Sequence, residues 1–593
     1  MQVLLSSPVH QANIVQMSKH DAQASSSTAS ASTRAAPAAG ATRAHKRVKI
    51  QLQELGAGHY ISLAGKSAVL QALKDMKINT EDLQGVSRRR IAMARKEAAD
   101  RDTSFGKCII TRTFQTKSGP KDYPVQNPLA MLHIAMLESP RYSDYVREAI
   151  RKRGLPTLEA PWKVLIYIDE ITCGNPLAVR ADAKRKIQGV YWSLYDLGAE
   201  ALCDESAWFE LTAFRSSETS VFVGSVSHLL EVCLSCFYPP DNNLHYGVLF
   251  AVSGYGNLML IVEIEHLIAD VKALIEVSGA MGVSAIMPCW FCRKVLSFSA
   301  KLKPEMAALP DFVDVGCLDA ARWGKHTDAS LLQLLQELKH ASTTLIPAMM
   351  KRKQTLCGYK HIENNLLLAV PRPIKLLCLD WMHLIFQSGN FNRELFRILR
   401  KATTRTFHAY RAMTQYVSAY HYPAAIALRP NLLCDAHWEA CKDGDAQVFK
   451  CSASEGLTLY AVLCKFFEGI VLPHFNGSAD HALLVAMVKS YSLLCDVVDL
   501  LQLCKFGVKV SPDLLEKKID AWALAHRAAY GTDCWFLKNH LTMHLADIVR
   551  EREADDEETS IFACWLLDRN VYAIYKCTAD LVWLHAEICC CDI

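Results

Sequence analysis

The chain has 593 residues, 51% of them hydrophobic and 21% charged, with a formal net charge of +4 at pH 7. That length exceeds one ordinary core and implies two to four domains, or one catalytic domain with large insertions; the composition excludes a mostly disordered chain. The near-balanced charge neither demands a nucleic-acid partner nor excludes one, because a local basic face suffices.

Residues 21–44 are rich in Ala, Ser and Thr and have little to bury, so a disordered tail is expected over residues 1–55. His45-Lys46-Arg47-Val48-Lys49 reads either as a nuclear-import patch or as a solvated linker. A helical N-terminal region follows over 56–155. Within it Arg88-Arg89-Arg90, Arg95 and Lys96 alternate with alanines, as a phosphate-contacting or a solvated face.

A strand core is expected over 156–300. Trp162–Ile168 is a continuous apolar run ended by Asp169-Glu170, Ile187–Leu194 a second strand and Trp208–Phe214 a third, with clear alternation. A helix over Ser227–Phe237 comes next. Gly247–Val252 is again a strand, and Leu258–Ile268 is a strand stopping just before Asp270. From about residue 330 the pattern is helical, with runs at Leu331–Leu345, Phe391–Met413, Leu457–Val471, His481–Leu503 and Leu514–Ala529 broken by prolines. This gives a helical insertion over 301–454 and a C-terminal helical region over 455–593. No uninterrupted apolar run reaches the roughly 18 residues of a spanning helix, so no membrane partner is expected.

The 22 cysteines do not resemble a compact secreted disulfide framework, and buried reduced thiols in the nucleus or cytosol are expected. Cys589-Cys590-Cys591 is read as a reduced tail, or as a metal or acylation site.

A strand meander, a helix and a returning strand, with acids at the ends of the first and last strands, is the arrangement of an RNase H-like α+β fold. Asp169 and Asp270 in those places suit two hard divalent cations, Mg²⁺ or Mn²⁺. Beyond Asp270 comes Gly279-Ala280-Met281-Gly282, then Pro288-Cys289-Trp290-Phe291-Cys292. Two thiolates at C-x-x-C spacing suit one soft ion, Zn²⁺. Asp380-Trp381-Met382-His383 offers a further imidazole with a carboxylate beside it, so Cys289, Cys292, His383 and Asp380 are the expected metal group. The alternative is a pair of buried thiols and a core histidine.

This order of motifs resembles the cut-and-paste DNA transposases of the DDE class, nearest the CACTA, Plavaka, Mutator and hAT group. The resemblance rests on the strand ending in Asp169, the Asp270–Cys292 segment, the Asp380–His383 motif, and Lys538-Asn539-His540 with His544, which is similar to a K-x-H-x-x-x-H segment. It covers roughly residues 120–550. It implies a mixed RNase H-like sheet with a large, mostly helical insertion, and a third catalytic carboxylate on a later helix. Glu455 fits that place, with Glu439 and Glu468 as alternatives. It also implies DNA as partner (transposon ends and target), a homo-oligomer, and a structural zinc. The chain departs from the pattern in having no zinc-finger module ahead of the strand core; DNA ends would be read by Arg88–Arg101 or Lys184-Arg185-Lys186. The alternative from another class is a catalytically inactive, domesticated DNA-binding or protein-interaction protein that keeps the zinc as a staple.

Overall fold

A computed structural model describes residues 100–172, 186–301, 311–420, 434–442, 447–505 and 508–553. The expected N-terminal tail, the Arg88–Lys96 segment, Lys184-Arg185 and the Cys589–Cys591 run lie outside them. The chain forms two compact units, Met1–Ile110 with Tyr572–Ile593, and Thr111–Val571. Of the first unit only residues 100–110 are described; they hold a small antiparallel pair, Asp102–Thr103 with Gly106–Lys107.

The second unit carries the mixed α+β architecture. It opens within a two-stranded sheet of β1 (Ile109–Thr116, whose first two residues count with the first unit) and β2 (Gly119–Gln126), so the region expected to be helical across 56–155 is β-structure here. The reason is alternation: every second residue of Thr-Phe-Gln-Thr turns inward, and Phe114 packs against Tyr123, Phe214 and Phe222. Helices α1 (Pro128–Glu138) and α2 (Pro140–Arg153) follow. Each has proline in its first turn, and Asn127 and Ser139 cap them.

Next come β3 (Trp162–Thr172), β4 (Lys186–Leu194) and β5 (Phe209–Arg215), an antiparallel meander. After α3 (Ser225–Leu234), the run expected as one strand over Leu258–Ile268 divides. β6 (Val248–Val252) and β7 (Gly256–Leu260) make a separate hairpin, and β8 (Val262–Ala269) enters the main sheet parallel to β3. A bulge between Ile264 and His266 lets Glu265 turn inward, where Lys163 (3.0 Å), Arg372 (3.1 Å) and Lys375 surround its carboxylate. Helix α4 (Val271–Ser278) follows β8 directly and ends on Gly279 at φ +77°. There a side chain would strike Ile362 and the Lys360 carbonyl.

The segment after α4 contains β9 (Val295–Leu296) paired with β10 (Val313–Asp314), then α5 (Asp328–Thr344) and α6 (Pro347–Cys357). Three residues, Leu377–Leu379, then form β11, which pairs parallel to β8 and completes a five-stranded sheet ordered β11-β8-β3-β4-β5. The Asp380–His383 motif therefore stands at the end of a sheet strand, not inside a helical insertion. From there the chain is helical: α7 (Trp381–Ile385), α8 (Asn390–Lys401), α9 (Ala409–Ala419), α10 (Asp435–Lys442), α11 (Ala453–Phe466), α12 (His481–Lys505), α13 (Pro512–Tyr530), α14 (Leu537–Met543) and α15 (Leu545–Glu553). The long α12 and α13 pack against each other, and α8 packs on α12. Ala453–His474, α11 with its continuation, is long and apolar enough by composition to cross a membrane, yet half of that window is buried inside the protein.

Candidate carboxylate row and thiol–imidazole centre

Sheet register gathers three acids. Ala269 of β8 pairs with Ile168 of β3 on one side and with Leu379 of β11 on the other. The next residue on each strand is an aspartate: Asp169, Asp270 and Asp380. Parallel neighbours in register lie about 4.8 Å apart, so the three form one row where β8 and β11 end and β3 runs on to Thr172. Two of them double as helix caps, because α4 and α7 begin at the strand ends. Asp270 Oδ1 accepts from Ala273 N (2.7 Å), and Asp380 Oδ1 from Met382 N (2.8 Å). Asp169 Oδ1 accepts from Glu170 N (2.8 Å).

His383 belongs to this row. Its Nδ1 meets Asp380 Oδ2 at 2.6 Å. Burial works against charge on the ring, but Asp380, Asp169 and Asp270 outweigh it and push the imidazole up to about 9. Burial, helped by Asp380 and Asp270, pushes Asp169 up to about 6 against the opposing charge of His383. Lys538 adds a second cation. Its Nζ donates to the carbonyls of His383 (2.8 Å) and Gln387 (2.6 Å), closing the end of α7. Burial pulls it down to about 8, against the pull of Asp270 and Asp380.

Glu455 is built differently. It sits in the first turn of α11 in a capping box, where Ser452 N and Oγ both donate to its Oε2 at 2.8 Å. It is buried on a helix that packs on α7, but it is not among the charges acting most strongly on Asp169 or His383. Glu439 and Glu468 are exposed and paired with Lys442 and Lys465. Lys186, expected as part of a basic end-reading patch, is ion-paired with Glu170.

The second constellation is buried. Cys289, Cys292, His540 and His544 bring four ligand atoms within 4.8 Å of one another, a group that could hold a metal ion. Cys289 Sγ lies 3.6 Å from His544 Nε2, Cys292 Sγ lies 3.5 Å from His540 Nε2 and 3.3 Å from His544 Nε2, and the two Nε2 atoms are 3.3 Å apart. The expectation that His383 and Asp380 join the thiols is corrected. They are paired with each other at the row, and the imidazoles come from α14 and its end. Burial opposes ionisation of Cys289, but Cys292 and the imidazoles of His540 and His544 outweigh it and hold that thiol well below the ordinary range; burial and Cys289 push Cys292 well up. Outside the four, His544 Nδ1 approaches Asp547 Oδ2 (3.3 Å), which also accepts from Lys325 Nζ (2.6 Å). An acid behind a histidine in this way fixes its ring orientation. Trp323 stands edge-on to both imidazoles, 4.8 and 5.1 Å from their centroids.

The cysteine loop is clamped from behind. Tyr359 Oη donates to the Trp290 carbonyl (2.6 Å), and Met281 N to the Gly358 carbonyl (2.8 Å). Gly358 has φ +77°, and a Cβ there would lie 2.7 Å from the Met287 carbonyl oxygen. The sequence signal for the imidazoles is H-x-x-x-H, four apart on one helical face and matched with C-x-x-C. In comparisons with known proteins, no family model and no curated protein matches the chain.

Proposed function

We propose that this protein cuts and rejoins nucleic-acid strands in the manner of a DDE transposase, on an RNase H-like sheet. The observation that carries the reading is the in-register row of Asp169, Asp270 and Asp380 across three adjacent parallel strands. The sheet order, an antiparallel meander with two parallel strands beyond its first strand, supports the reading of an RNase H-like fold. Asp169 and Asp270 are the residues that would hold divalent cations, Mg²⁺ or Mn²⁺. When bound, such ions activate the attacking oxygen and stabilise the leaving oxygen of a phosphodiester. The backbone N–H of Ala273 fixes the rotamer of Asp270, and His383 offsets part of the charge that crowds the row. For the third carboxylate, Asp380 has more support than Glu455, whose Oε2 is committed to its own helix start.

The thiol–imidazole group fits zinc. Bonds of about 2.3 Å to sulfur and 2.0–2.1 Å to nitrogen in a tetrahedron set S···N near 3.6 Å and N···N near 3.3 Å, against 3.3–3.6 Å and 3.3 Å between the donors here. Cys289, Cys292, His540 and His544 would fill all four positions, which makes the ion structural.

A second reading, a non-catalytic DNA-binding protein of the same fold, is favoured by one observation: Asp380 is already ion-paired with His383. The two readings part on one experiment. Mg²⁺- or Mn²⁺-dependent nicking of DNA carrying candidate element ends is compared for the native protein, Asp169→Ala and Asp270→Ala. Nicking abolished in both variants supports the enzyme. Equal residual nicking in all three proteins sinks it.

A further inference from the structure

Helix α8 presents Arg393 and Arg397 one turn apart on one face. Both guanidinium groups lie over aromatic rings rather than carboxylates. Arg393 Cζ is 3.8 Å from the centroid of Phe536; Arg397 Cζ is 5.7 Å from the same ring and 5.3 Å from that of Tyr530. Among the described residues neither has an acidic partner within ion-pair distance, and Arg397 Nη1 is buried with no acceptor. Glu394, the acid on the same helix, uses its Oε1 elsewhere, accepting from Trp522 Nε1 (2.8 Å) and meeting His526 Nδ1 (2.9 Å), while its Oε2 is buried without a partner. Phe536, which carries both arginines, is the cap of α14, and two residues on is Lys538, whose Nζ sits at the end of α7 beside the carboxylate row. Arg393 is close enough to act on Lys538 as a like charge. Burial first, and Arg397 second, work against the charge of Arg393, and a buried guanidinium N–H of Arg397 is left without an acceptor. An arginine fork stacked on an aromatic ring is pre-set for a phosphate.

We infer that Arg393, Arg397 and Lys538 form a phosphodiester-binding site that holds the backbone of a nucleic-acid strand beside the carboxylate row. The inference rests on the reading of that row as the place where a strand is cut, and it names the side from which the strand is gripped.

The test uses the full-length, zinc-loaded protein and a fluorescein-labelled DNA duplex, with Ca²⁺ in place of Mg²⁺, followed by anisotropy from 50 to 200 mM KCl. Arg393→Gln combined with Arg397→Gln is expected to raise Kd about tenfold or more, and to lower the slope of log Kd against log salt by about 2, roughly 0.9 for each phosphate that is no longer neutralised. An unchanged Kd and slope overturns the site. So does stabilisation of the native protein by orthophosphate together with unchanged DNA affinity of the variant, which would mark a site for free phosphate. Should the double variant lose its helical circular dichroism, Arg393→Lys and Arg397→Lys are measured singly. Weaker binding with the slope kept supports the fork geometry, and unchanged affinity in both overturns it. Asp169→Asn with Asp270→Asn is expected to lose nicking while keeping the native salt slope. Loss of nicking therefore tests the row, and loss of slope tests the arginines.

Discussion

The carboxylate row and the thiol–imidazole centre are assembled in opposite ways. The row is a product of backbone register: once β8 lies between β3 and β11, Asp169, Asp270 and Asp380 are neighbours. The centre joins side chains as much as 255 residues apart, and exists only when the C-terminal helices have closed on the cysteine loop. The row crowds like charges and largely buries them, at a cost to stability. The centre is buried and, with an ion in it, gains. Helix α14 is where the two meet, since Lys538 reaches the end of α7 while His540, two residues on, faces the thiols. On the proposed reading, the chain separates a site for chemistry from a clasp that would hold the helices in place around it.

Breaking the clasp should have the largest effect. Structural zinc contributes on the order of 10 kcal/mol to the folding of small zinc domains. In a larger core part of that is retained by packing, so Cys292→Ser or His544→Ala is expected to cost about 5 kcal/mol or more. Metal analysis should fall from one zinc per chain to none, and the thermal midpoint by more than about 10 °C. A variant with no zinc and an unmoved midpoint would mean that the centre is not a clasp.

The row should respond the other way. Asparagine caps a helix as well as aspartate does, so Asp270→Asn keeps the bond from Ala273 N and is expected to change stability by less than about 1 kcal/mol. Without its charge the residue loses its grip on a cation, and metal-dependent nicking should fall about 10³-fold, equivalent to about 4 kcal/mol. Nicking within tenfold of the native rate removes Asp270 from the chemistry.

How much of this could be read in advance follows from the same contrast. The strands of the row were legible where the chain writes them as long apolar runs; Trp162–Ile168 and Ile187–Leu194 fall inside β3 and β4. Leu377–Leu379 was not, because three residues between a proline-rich turn and a helix carry no period. Missing that strand put Asp380 in the wrong neighbourhood. It also made His383 look like a partner for the thiols, when its Nδ1 belongs to the carboxylate three residues before it. The imidazoles of the clasp carried a signal in His540 and His544, but spacing alone does not choose between histidines across some 250 residues; only tertiary packing does. The Phe391–Met413 run became two helices, α8 and α9, because Thr403 and Thr404 turn the chain between them.

Glu210 gives an acid of the same sheet in which burial acts alone. It lies on β5 with both oxygens buried and unpartnered, and burial pushes it up to about 8. A carboxyl raised in the folded state favours the protonated native form. The stability it contributes is fully present below its unfolded value near 4.5 and is lost as pH rises towards 8. At pH 7 the loss is about 3 kcal/mol, from 1.36 kcal/mol for each pH unit above 4.5. Glu210→Gln is therefore expected to stabilise the protein by about that much at pH 7 and by almost nothing at pH 4, in urea titrations at the two values. The same gain at both pH values would mean that the side chain matters by shape and not by charge, and the contrast with Asp169, where His383 offsets burial, would lose its basis.

The smallest expected effect concerns that offset itself. His383 is a cation already resident among the carboxylates, held by Asp380 at 2.6 Å. A divalent ion at Asp169 and Asp270 must share the row with it, and like charges at short range in a half-buried site repel by about 1–2 kcal/mol. His383→Gln keeps a polar group of similar reach beside Asp380 and removes the charge. The row should then bind Mn²⁺ about tenfold more tightly, read as loss of the free-ion signal in electron paramagnetic resonance, a measurement that does not depend on nicking. The zinc content should stay at one per chain, because His383 has no part in the clasp. A weaker Mn²⁺ affinity would assign the imidazole to the cation as a ligand instead, and a fall in zinc would return it to the thiols.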